Sequence, residues 1–148
     1  MDAFETLKAE ILEKRWGVVH FELNKLSDYG DEQLNNLPDS YTAGFGFHGI
    51  GPAWQAIDRS DARKILVRIL HRGLAYPQEE MPLGDAQALA DRILALFSSD
   101  AGFFTNGSYA QDEGQGVRRH SITDATFDTG VVFVDRSQIG LFWIEDED

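Results

Sequence analysis

The sequence predicts an α+β fold in a single domain spanning residues 1–148, with a helical hairpin packed on a mainly antiparallel sheet. Three observations carry this. Two segments in the middle of the chain place apolar residues at helical spacing with prolines between them. The last third changes to short runs that are apolar on both faces, as strands covered on two sides are. The 148 residues contain no repeat, linker or low-complexity tract, so one core accounts for the whole length.

Element by element, Asp2 to Lys14 sets Phe4, Leu7, Ile11 and Leu12 at helical spacing, and Gly17 suits the end of that helix. Val18 to Leu23 reads as a strand, with helix left open as the alternative. Ser27 to Gly51 is polar and rich in turn residues, so irregular structure is expected there, with a short strand around Tyr41 to Phe47. Ser60 is the expected N-cap of the next helix, since a side-chain oxygen there can accept from an orphan amide. Ala62, Ile65, Leu66, Ile69 and Leu70 make its buried stripe, and Gly73 is the expected left-handed cap. After Pro77 and Pro82, a second helix carries Asp85 at its positive end and Ala86, Leu89, Ala90, Ile93, Leu94 and Phe97 inward. Phe103 to Thr105 leads into Asn106-Gly107, a tight-turn signal. Ala125 to Asp135 and Gln138 to Glu145 then read as two strands joined by a turn at Asp135-Arg136-Ser137-Gln138.

Composition narrows the function. At 43 % hydrophobic and 26 % charged the chain is of globular type. Its apolar runs are too short to span a bilayer, and the acidic start is unlike a signal peptide, so a cytoplasmic location away from membranes is expected. Without cysteine, thiol catalysis and cysteine-bound zinc are excluded. A formal net charge of −12 argues against direct nucleic-acid binding and favours a basic partner.

The motifs argue against an enzyme. Gly44-Phe45-Gly46-Phe47-His48-Gly49 has the letters of a dinucleotide fingerprint, but no buried strand precedes it and Pro52 follows, so no cofactor is expected. His20, His48, His71 and His120 have no metal-ligand spacing, and no metal is expected. Lys64, Arg68 and Arg72 line one helix face, which could hold an anion or answer carboxylates within the fold. The alternative function rests on these residues: a small enzyme or ligand-binding domain holding an anionic metabolite near the Gly44–Gly51 loop, with His48. A structural subunit of a larger assembly also accounts for strands with two apolar faces.

Residues 73–148 hold fourteen acids against four arginines, and a strand ends directly in Glu145, Asp146, Glu147 and Asp148. The run Ala125-Thr126-Phe127-Asp128-Thr129-Gly130-Val131-Val132-Phe133-Val134-Asp135, followed by Ile139-Gly140-Leu141-Phe142-Trp143-Ile144-Glu145-Asp146-Glu147-Asp148, resembles small immunity proteins of bacterial polymorphic-toxin and contact-dependent inhibition systems. The likeness covers the last quarter, with weaker support from Leu74 to Phe97. It implies a non-catalytic cytoplasmic inhibitor that binds the C-terminal domain of a cognate toxin. A nuclease must be basic where it grips phosphate, so an acidic inhibitor suits it. The expected partner-binding residues are Trp143, Glu145, Asp146, Glu147 and Asp148, supported by Asp124, Asp128 and Asp135.

Overall fold

A computed structural model describes residues 2–30, 33–107 and 120–147 of the chain. Helix α1 (Ala3–Lys14) begins where the Asp2 carboxylate accepts the Glu5 amide at 2.8 Å. Strand β1 (Val18–Lys25) follows, resolving the open choice at that segment in favour of strand. A 3₁₀ turn at Leu26–Tyr29 then leads toward helix α2 (Leu37–Ala43).

The short strand expected around Tyr41 to Phe47 is not formed; α2 occupies the first part of it. Pro38 sits in the first turn, where no intrahelical amide is needed, and the helix turns Tyr41 and Thr42 inward. Thr42 satisfies its hydroxyl on the Pro38 carbonyl at 2.7 Å. A second 3₁₀ turn at Gly51–Ala53 precedes the short strand β2 (Gln55–Ile57).

Helices α3 (Arg59–His71) and α4 (Leu83–Leu94) form the hairpin, and every residue of the two expected stripes is buried. Two expected caps are different. Asp58, not Ser60, caps α3, accepting the Asp61 amide at 2.8 Å from one turn back. Gly73 is not a left-handed cap, because the chain leaves α3 extended at Arg72. Gly73 is small for another reason: a Cβ there would run into the Tyr76 carbonyl. The α3 carbonyls are instead taken by buried Arg15, whose Nε donates to Ile69 O at 2.7 Å and Nη2 to Arg72 O at 3.4 Å.

Strands β3 (Gly102–Thr105), β4 (Phe127–Val134) and β5 (Gln138–Asp146) complete a five-stranded sheet in the order β1-β5-β4-β3-β2, antiparallel at every pairing. The turn expected at Asn106-Gly107 is not a tight hairpin, since β4 begins only at Phe127. Asn106 is buried, and its amide is spent on internal hydrogen bonds.

Both sheet faces are covered, as the apolar pattern of β4 and β5 requires. Phe21, Phe103, Val131, Phe133, Phe142 and Ile144 meet α1, α3 and α4 on one face. Phe104, Val132, Val134, Ile139, Leu141 and Trp143 meet Leu37, Tyr41, Ile122 and the segment around Trp54 on the other. Gly130, opposite Trp143, makes that second layer possible: a Cβ would lie 2.8 Å from Trp143 Cα and from its ring atom Cε3. The indole therefore occupies the space over Gly130 that a side chain would take. No helix among the described residues is long and apolar enough to cross a membrane.

Candidate partner-binding surface

The eight residues expected to bind a partner divide into three groups. Asp128 and Trp143 lie inside the fold, with 1 % and 0 % exposure, and present nothing to a partner. Asp128 begins on β4 with its side chain on the Trp143 face, where Trp143 Nε1 donates to it at 3.1 Å. The same carboxylate accepts from the amides of Ile122 and Thr123, from Thr123 Oγ1 and from Asn106 Nδ2. Asn106 continues the network by accepting from Thr129 Oγ1 at 2.7 Å. A carboxylate stripped of water is tolerable when donors fill its lone pairs, and these do. Its work is to tie the segment before β4 to the sheet.

Asp135 is also structural. It closes the β4–β5 turn by accepting from the Ser137 and Gln138 amides, and reaches α4's exit through the Ser98 amide at 3.0 Å. Burial pushes its carboxyl up, but the Ser137, Ser98 and Gln138 donors outweigh that and hold it below the usual carboxylate range.

The third group is at the end of β5 and beside it. Glu145, opposite Val18 on β1, hydrogen-bonds His20 Nε2. Asp146 Oδ2 accepts from the Leu74 and Ala75 amides at 2.9 and 3.1 Å. Glu147 accepts from the Thr126 amide and hydroxyl. Strand β5 thus carries the acids to Asp146 as ordered structure, one residue past the expected end. Asp124 is exposed and meets exposed His48 Nε2 at 2.8 Å. Asp148 lies outside the described residues.

The elements of the alternative ligand site do not come together. The Gly44–Gly51 loop covers the Trp143 face through Phe47 and Ile50, whereas α3 with Lys64, Arg68 and Arg72 covers the opposite face. The loop's amides at Ile50 and Gly51 donate to the protein's own Asp39 at 2.9 and 2.8 Å, in the place a bound anion would take. Trp54 Nε1 adds a third donor at 2.7 Å. Burial raises the Asp39 carboxyl, and these three donors more than reverse it, leaving it below the usual range. On α3, Lys64 approaches Asp61, Arg68 Nη1 donates to Gly73 O and Arg72 Nη1 to Pro77 O. The stripe mainly ties down the loop after α3. Among the described residues no group of three His, Asp or Glu side chains could hold a metal ion.

Sequence reasoning missed two exposed aromatics, Trp16 and Tyr76, at the same end of the molecule as Asp146. In the sequence Trp16 extends the α1 stripe of Phe4, Leu7, Ile11 and Leu12 by an i,i+4 step from Leu12, so spacing alone gives no signal that both Leu12 and Trp16 are exposed. Comparison of the chain with protein-family models, curated proteins and solved structures finds no match.

Proposed function

We propose that this protein is an immunity protein: a non-catalytic inhibitor that binds a cognate bacterial toxin domain, a basic nuclease, in the cytoplasm through an acidic surface. The observation that supports this reading best is the way the β5 terminus holds its acids. Asp146 is held by the Leu74 and Ala75 amides, with the buried Arg15 guanidinium nearby, and Glu147 by the Thr126 amide and hydroxyl, so both carboxylates are fixed in place at the end of the strand. A charge already fixed gives up less entropy when a cationic surface arrives, and a net charge of −12 hastens the encounter. Asp124 extends the acidic surface, whereas Asp128, Asp135 and Trp143 support the scaffold that carries it.

The test is co-expression with the protein encoded immediately upstream, scored for growth and for a co-purifying complex. Immunity gives rescue and a stoichiometric complex whose formation slows steeply as salt rises. A harmless neighbour that forms no complex removes the reading.

A further inference from the structure

Four large apolar side chains are exposed where α1 passes into β1 and in the loop after α3. Trp16 is 76 % exposed, Tyr76 60 %, Val18 50 % and Leu12 49 %. Two contacts bring these segments together. The buried Arg15 guanidinium donates to the carbonyls of both Trp16 and Arg72, joining the start of β1 to the loop that carries Tyr76. Asp146, beyond the Val18–Glu145 pair, accepts the Leu74 and Ala75 amides, so the end of β5 lies against the same loop. Elsewhere the exposed large apolar residues are dispersed: Leu34 precedes α2, Leu83 opens α4, and Phe45 packs edge-on to Tyr41.

A tryptophan left this open lowers solubility and gains nothing for the core, since α1 already buries Leu7 and Ile11. Tryptophan and tyrosine are the side chains that most often anchor protein interfaces. Around this pair, acids outnumber cations. Glu13, Glu79, Glu80, Asp146 and Glu147 belong to the adjoining segments. Against them stand Lys14, buried Arg15, paired with Glu80, and Arg68 and Arg72, whose guanidiniums donate to Gly73 O and Pro77 O. A second copy of the chain would bring the same acids against these, and like charges disfavour that pairing.

We propose that Trp16 and Tyr76 anchor a partner protein whose docking face offers an apolar pocket ringed by lysine and arginine. This rests on the immunity reading and gives its acidic rim a centre: the rim steers, and the two aromatics hold.

The experiment measures binding of the purified upstream-encoded protein by calorimetry, comparing wild type with Trp16→Ala, Tyr76→Ala and, as a control, Leu83→Ala. Circular dichroism and melting temperature check that each variant is folded; Trp16 makes its hydrogen bond through its carbonyl, which alanine keeps. The expected result is a loss of affinity of about thirtyfold or more for each aromatic variant and less than about twofold for Leu83→Ala. If wild type neutralises the toxin and both aromatic variants bind within about twofold of it, the anchor is overturned while the immunity function stands. If wild type neither binds nor protects, both fall. Sedimentation showing a wild-type dimer that Trp16→Ala dissolves would assign the patch to a second copy and overturn the proposal.

Discussion

Trp143 Nε1 donates to Asp128 Oδ1 at 3.1 Å in a layer closed to solvent, so the buried tryptophan and the buried acid satisfy each other. Asp128→Ala strands the Ile122 and Thr123 amides, the Thr123 hydroxyl and the indole at once. The expected cost is about 3 kcal/mol or more, read by urea denaturation. Trp143→Phe leaves most of those donors in place and removes one, with part of the layer's packing. It should cost less than Asp128→Ala.

Acid should unfold the protein in part through Asp39 and Asp135, whose folded carboxyls lie below the ordinary range. A depressed folded value means that the stabilisation is fully present above the unfolded value, about 3.9, and is lost as pH falls through the folded one. Stability should therefore decline below about pH 4, and Asp39→Asn should flatten that decline. Thermal melts of wild type and variant from pH 7 down to pH 2.5 give the comparison. Equal acid slopes would contradict the assignment.

Arg15→Lys should destabilise although it keeps the charge. The guanidinium serves the carbonyls of Ile69, Trp16 and Arg72 and lies 3.5 Å from Glu80, an arrangement of directions that one ammonium cannot match. Burial lowers the Arg15 pKa despite the nearby Glu80 and Asp146 carboxylates, which marks how far it is removed from water. A loss of about 2 kcal/mol is expected in chemical denaturation, with α3's last turn the first to exchange its amides.

Gly130→Ala should be poorly tolerated. Its Cβ would overlap the Phe142 carbonyl and approach Trp143 Cα at 2.8 Å, backbone atoms that cannot step aside without parting β4 from β5. A cost of about 3 kcal/mol or loss of soluble expression is expected, whereas Gly84→Ala, with open space around its Cβ, should fold.

At the acidic end, Glu147→Gln and Asp124→Asn should reduce the on-rate and the salt dependence of partner binding more than the off-rate. Stopped-flow association at two salt concentrations separates the two.

Patterns that depend on one element were legible in the sequence. The stripes of α3 and α4 need only a helical period, and the two-faced strands β4 and β5 declare cover on both sides. Helix α2 was not legible, because its seven residues include Pro38 and turn formers, and its register is set by Tyr41 packing over the sheet. The caps at Asp58 and Ser60 differ by one choice between two residues of capping type. Asp128 and Trp143 read as site residues because charge and aromaticity are visible in a sequence, whereas the bonds that enclose Asp128 need the Ile122–Thr123 segment folded back on it and Asn106 and Trp143 brought in from 22 and 15 residues away. Trp16 and Tyr76 went unseen for the converse reason: exposure is a property of what does not pack nearby.

Strand β5 lies between β1 and β4, and its pairing with β1 joins Val18 to Glu145. At about 5–20 residues per second, a ribosome delivers those two partners roughly 6–25 s apart. Throughout that delay β1 lacks its β5 neighbour, and Phe21 has Phe4 of α1 beside it but not Phe142. Completion of the sheet is thus a late event in synthesis. A premature stop before residue 138 deprives β1 of its neighbour as well as removing β5, which makes truncated products targets for proteolysis.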